Sequence, residues 1–68
     1  MAFGMGAVTA YRFYYLDSDG HIAGPPAVAE FGDDLGAIEA AQALLNGKAI
    51  EVWDRARVVI RLEPKYPE

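Results

Sequence analysis

Hydrophobic and polar residues alternate with a period of two in several stretches of this chain and with a helical period in one. The first alternating stretch is AYRFYYLD, residues 10–17. There Tyr11, Phe13 and Tyr15 point to one side and Arg12, Tyr14 and Leu16 to the other. Its aromatic content suits a pleated, half-buried surface, so it reads as a strand. DSDG follows, with Gly20 suited to the left-handed position that closes a short hairpin loop. The return strand starts at His21 and Ile22 and meets Gly24-Pro25-Pro26. Neither proline can donate to a ladder, which predicts an edge strand, broken or bulged in the middle and resuming over Ala27–Phe31.

A helix is predicted next. In GDD, residues 32–34, Asp33 or Asp34 can accept from the free amides of a first turn and lies against the positive end of the dipole. LGAIEAAQALL, residues 35–45, then places Leu35, Ile38, Ala41 or Gln42, and Leu45 at helical spacing, with Leu44 beside them. Its alanines raise helix propensity and let a helix lie close on a sheet. Asn46-Gly47 ends it, glycine being the usual residue just past a helix.

KAIEVW and ARVVIRL read as two more strands. Alternation assigns Ile50 and Val52 to one face, and Val58, Ile60 and Leu62 likewise. The two sets share a face if an odd number of residues connects the strands, as in a loop Asp54-Arg55-Ala56. Ala56 is an unusual choice there, since a three-residue hairpin favours glycine at its left-handed position. The order β-β-α-β-β predicts an α+β fold, a four-stranded and mainly antiparallel sheet with one helix packed on one face.

One helix covers one face of a sheet. The covered face is expected to hold Ile50, Val52, Val58, Ile60 and Leu62 with Tyr11, Phe13 and Tyr15. Arg12, Tyr14, Leu16, Glu51, Trp53, Arg57, Val59 and Arg61 are then left on the other side. Cross-strand Arg–Glu pairs and arginine–aromatic stacking are enough to stabilise a half-exposed sheet. The same mixture of aromatics and arginine is also the composition of a protein interface. The candidate interface residues are Arg12, Tyr14, Leu16, Trp53, Arg57, Val59 and Arg61.

Size sharpens that expectation. With 68 residues, the chain holds a single α+β domain at residues 10–62, with a loose N-terminal segment at 1–9 and a frayed tail at 63–68. A chain this short buries only roughly 60% of its unfolded surface, and such domains lean on disulfides, metals or association. There is no cysteine and a single histidine, His21, so association is the device left open. Residues 1–9, MAFGMGAVT, carry no Lys or Arg and are too short for a signal peptide or a membrane span, which points to a cytoplasmic protein without a membrane partner.

Net charge is −4, which argues against a nucleic-acid partner. Between Phe13 and Gly47 there are six acids and no Lys or Arg; from Lys48 to Arg61 there are four bases against Glu51 and Asp54. That division favours contact between the two halves, within one chain or between two. DSDGH does not fit a calcium loop, because counted from Asp17 the glycine comes fourth and the twelfth residue is Val28. Asp17 and Asp19 read instead as turn formers. GMG at 4–6 has no strand before it and no helix after it, so it is not a nucleotide fingerprint. His21 could act as a base oriented by Asp17 or Asp19, with Ser18 nearby, but a lone histidine beside a hairpin is more simply structural. Tyr11, Phe13 and Tyr15 could stack bases, yet they serve better as core. No catalytic, cofactor-binding or metal-ligating residue is assigned, and no enzyme is expected.

YRFYYLDSDGHI and IEVWDRARVVIRL resemble the opening and closing hairpins of small uncharacterised bacterial proteins. Those open on an RYFF-L-DG hairpin, pass through an Ala-rich helix after an acidic cap, and close on a VEVRDEDGRVV-type hairpin. The resemblance spans most of residues 11–62 and implies a ββαββ fold; that family's function is unknown, so it implies no activity and no functional residue. Here DRA replaces the Asp-Gly turn, and GPP is this chain's own. DLGAIEAAQALL is also similar to the helix start of small antitoxins of bacterial toxin–antitoxin pairs, although their third strand before the helix and their DNA-binding segment are not evident. The expectation is a non-enzymatic interaction module, homodimeric through the uncovered sheet face or an edge strand. The alternative is an antitoxin-like or anion-binding regulatory protein that uses Arg12, Arg57 and Arg61.

Overall fold

The computed structural model describes residues 8–64. Of the loose segment expected at residues 1–9 and the tail expected at 63–68, residues 1–7 and 65–68 lie outside the described residues, and Thr9 already belongs to the first strand. Strands β1 (Thr9–Tyr15) and β2 (Ala27–Phe31) precede helix α1 (Asp34–Leu44), and β3 (Ile50–Asp54) and β4 (Arg57–Leu62) follow it. The strands form one antiparallel sheet in the order β2-β1-β3-β4. The aromatic β1 is therefore central, and β2, which begins just after Pro25 and Pro26, lies at an edge.

The first hairpin closes through Leu16 opposite Ile22, with the Gly20 N–H donating to the Asp17 carbonyl at 2.9 Å and Gly20 at φ 83°. From Leu16 to Phe13 is three steps along β1, yet their partners Ile22 and Ala27 are five apart. The two surplus residues fall at Ala23–Pro26, so the proline-bearing bulge is where the sequence asks for it. The helix begins with Asp33 as its N-cap, whose Oδ1 accepts from the Gly36 N–H at 2.9 Å. It ends at Leu45, before Gly47 at φ 101°.

The second hairpin departs from the expected loop. The turn has two residues, Arg55 and Ala56, with Asp54 opposite Arg57 and Trp53 opposite Val58. Arg55 carries the turn at φ 58°, an uncommon conformation for a residue with a Cβ. The odd residue that parity requires lies in β4 instead. Trp53 opposes Val58 while Val52 opposes Ile60, so Val59 is an extra residue in a bulge. Ile60 and Leu62 thereby keep the expected face. Val58 does not: it faces away from the helix and is 46% exposed.

The core follows from this register. Tyr11, Phe13, Ile50 and Val52 pack beneath Ala37 and Ala41 of the helix, with Tyr15, Phe31, Ile60 and Leu62 around them. Phe13 lies directly opposite Val52, and Tyr15 opposite Ile50. Phe31 meets Phe13 edge-on, with ring centroids 6.1 Å apart. The helix turns Ala37 and Ala41 to the sheet, both fully buried, whereas Leu35 points outward and is 62% exposed. Of the residues at helical spacing, Ala41 is in the core and Leu35 is not: small side chains lie beneath the helix axis, and the longer Leu35 stands on its flank. No helix among the described residues is long and apolar enough to cross a membrane.

Candidate functional site

Antiparallel register fixes what lies on the face away from the helix. Val28 opposes Arg12, Arg12 opposes Trp53, and Trp53 opposes Val58. Directly opposed residues share a face, so these four side chains form a row across all four strands. The next row holds Tyr14, Glu51 and Arg61. The Arg12 guanidinium lies over the Tyr14 ring at 5.7 Å and over the Trp53 ring at 5.9 Å, and those rings meet edge-on at 6.4 Å. Arg12 also donates to the Tyr14 hydroxyl at 3.1 Å and to the carbonyl of the turn residue Arg55. The Trp53 indole N–H donates to Glu51 Oε1 at 3.0 Å; the other Glu51 oxygen faces Arg61 at 3.6 Å, and Arg61 Nε donates to Glu63 at 2.8 Å. Cation and indole N–H are thus engaged within the face, while Val28, at 61% exposed, and Val58 stand bare at its two ends.

Of the seven residues singled out in the sequence, Arg12, Tyr14, Trp53 and Arg61 come together here. The other three do not. Leu16 shares their parity but is only 2% exposed, where the loop of the first hairpin turns back. Val59, the bulge residue, packs against the core cluster. Arg57 is on the helix side, a consequence of the two-residue turn.

Arg57 belongs to a polar cluster that alternation alone does not reveal. Its two terminal nitrogens donate to the two oxygens of Asp34, both at 3.2 Å, and one also to Asp54 at 2.8 Å. The hydroxyl of the buried Tyr11 donates to Asp34 Oδ1 at 2.8 Å. The Arg57 fork, and secondly the Tyr11 hydroxyl, hold the Asp34 carboxyl below the usual carboxylate range. In return, the hydrogen bond to Asp34, then burial, push the Tyr11 hydroxyl up to about 12. The acidic segment thus meets the basic one within a single chain, and the first turn of the helix is pinned to β1 and β4. The sequence signal was available in Asp34, once Asp33 is given the cap.

The other candidate groups do local work. Ligand atoms of Asp17, Asp19 and His21 lie within 4.8 Å of one another, all exposed. Asp17 Oδ1 accepts from the N–H groups of Asp19 and His21 at 2.9 and 3.0 Å, which closes the hairpin loop and, through His21 first, lowers the Asp17 pKa. An open cleft of about 560 Å³ between that loop and the end of the helix is lined by Leu16, Asp17, Lys48, Arg61 and Glu63 among others, charges of both signs. Comparison with protein-family models, with curated proteins and with solved structures finds no match to this chain.

Proposed function

We propose that this protein is a non-enzymatic, cytoplasmic interaction module that works by self-association through the side of the sheet its helix leaves open, by the face or by a strand edge. The observation that supports this reading is the Val28–Arg12–Trp53–Val58 row. An arginine held between two aromatic rings, flanked by exposed valines, is the composition that interface centres favour. The arginine is already ordered by its stacking and its bond to the Arg55 carbonyl, so less side-chain entropy is lost when a partner arrives. Burial points the same way, since few side chains are fully enclosed and association adds to a thin core. Anion binding through Arg12, Arg57 and Arg61 is less well supported. Arg57 and Arg61 each already face two carboxylates.

Sedimentation over a wide concentration range tests the reading. Average mass should rise toward twice that of one chain as concentration increases. A mass that stays at one chain throughout overturns it.

A further inference from the structure

The geometry points to the outer edge of β2 as the seam along which a second copy of this chain adds, antiparallel, about a two-fold axis at Ala29. This rests on the self-association reading and says where that contact forms. The argument starts from which backbone groups are spent. The Tyr15 carbonyl accepts from Ala23 on the β2 side, whereas the Leu16 N–H donates to Ala49 on the β3 side, both at 2.9 Å. Backbone groups alternate sides along an antiparallel strand. Thr9, Tyr11 and Phe13 therefore face β2, and their opposites Phe31, Ala29 and Ala27 spend their N–H and C=O groups on β1. Val28 and Glu30 turn theirs outward, and among the described residues no strand pairs with them.

A two-fold axis at Ala29 sets Val28 of one copy opposite Glu30 of the other. Four free groups on each copy then meet four on its mate as two hydrogen-bonded pairs, with Ala29 opposite Ala29 in the closer, non-bonded position. The side chains permit this. On the helix side, Phe31 of one copy falls opposite Ala27 of the other, a large group against a small one, and the axis is flanked by methyl groups alone. Residues 27–30 are exposed, so no side chain must first be displaced. The opposite edge is guarded. β4 carries the Val59 bulge and two arginines within its own length, devices that discourage pairing, whereas the bulge and prolines of the other edge end at Pro26, before β2 begins, and β2 itself carries a single charge, Glu30. A seam of five residues is smaller than a standard interface of roughly 1,200–2,000 Å², so the dimer is a weak, concentration-dependent one. Its product is a continuous eight-stranded sheet that carries two copies of the arginine–aromatic row on one surface.

Because the chain has no cysteine, Ala29→Cys introduces a unique thiol. Opposed non-bonded positions are roughly 4.5 Å apart at Cα, within disulfide range, while offset positions exceed it, so Ala29→Cys should oxidise to a dimer on the order of tenfold faster than Ala27→Cys or Val28→Cys. Val28→Pro removes one outward N–H without touching the bonds to β1, and should abolish the mass increase while circular dichroism stays unchanged. Trp53→Asp, on the open face, should leave the mass increase in place. If the wild type associates but cross-linking shows no preference for position 29, and Trp53→Asp abolishes association, the seam is overturned and self-association stands. If the wild type stays one chain in mass, both fall.

Discussion

Exchanging the sizes of two helix residues separates the observed packing from the one that periodicity suggests. Leu35 is 62% exposed, so burial covers only 38% of it (100 − 62). Fully burying a leucine side chain is worth roughly 1.5–3 kcal/mol, which puts Leu35→Ala at about 0.6–1.1 kcal/mol before alanine's slightly better helix propensity offsets part of it. A core leucine would cost roughly 2–5 kcal/mol. Ala41 is fully buried against the sheet, and Ala41→Leu forces extra carbons into a closed contact at a cost of roughly 1–3 kcal/mol. Urea unfolding followed by circular dichroism, at one low protein concentration so that association does not shift the midpoint, reads both changes. Leu35→Ala should move the midpoint slightly and Ala41→Leu clearly, with the slope unchanged. The reverse order, with Leu35→Ala the more damaging, would refute the claim that alanines form the contact.

Two further outcomes follow from local geometry. Arg55→Gly relieves a side chain held at positive φ, where strain of roughly 1–2 kcal/mol exceeds the roughly 0.5–1 kcal/mol of chain entropy that glycine adds, so thermal unfolding should shift upward by a few degrees; a downward shift would show that Arg55 is not strained. The Tyr11–Asp34–Arg57 cluster sets stability at both ends of the pH scale. The Asp34 and Asp17 carboxyls have folded pKa values below their unfolded ones, so the stability they confer is complete above about 4 and is lost as pH falls through the folded values. Tyr11 is raised from 10.0 to about 12, so its contribution is complete below 10 and is lost as pH climbs toward 12. Spectrophotometric titration should show a tyrosine ionising well above pH 10.0, assigned to Tyr11, and Asp34→Asn should move that ionisation down. A titration in which Asp34→Asn leaves the late tyrosine unmoved would sink the assignment.

Much of the architecture was legible because it is set by local constraints. Gly20 and Gly47 stand where positive φ occurs, Asp33 caps the helix, and β2, just after Pro25-Pro26, lies at an edge. What stayed hidden depends on distance between elements. Periodicity identifies the stripes of a helix but not which stripe the sheet chooses, and Ala37 and Ala41 compete with Leu35 and Ile38 until the spacing is known. Leu16 reads as a surface residue by parity and is only 2% exposed, at the base of the first hairpin opposite Ile22. The Asp34–Arg57 pairing joins residues 23 apart; Asp34 is left over once Asp33 takes the cap, but which base it meets is not written in the local sequence. The candidate face was recovered where alternation is regular, at Arg12, Tyr14, Trp53 and Arg61, and lost at Arg57 and Val59, beside the irregularity in β4.

That irregularity decides which face of the sheet Arg57 takes. Alternation requires one odd residue between Val52 and the pair Ile60 and Leu62, but it is indifferent to where that residue stands. A three-residue turn would place Arg57 on the open face and leave Asp34 without its bidentate partner. The bulge at Val59 allows the short turn, sends Val58 outward and gives Arg57 to the helix. If Val59 is only the surplus residue, deleting it leaves Trp53 opposite Val58 and Val52 opposite Ile60, and every other side chain keeps its face. The cost is then the packing of one half-buried valine, roughly 1–2 kcal/mol. Deleting Glu51 instead has no bulge to absorb it and throws Ile50, now 1% exposed, to the opposite side. That variant loses the full roughly 1.5–3 kcal/mol of isoleucine burial together with its ladder. The Val59 deletion should therefore fold with a reduced urea midpoint, while the Glu51 deletion should not fold cooperatively. A cooperative Glu51 deletion beside an unfolded Val59 deletion would mean that the bulge residue carries the register itself.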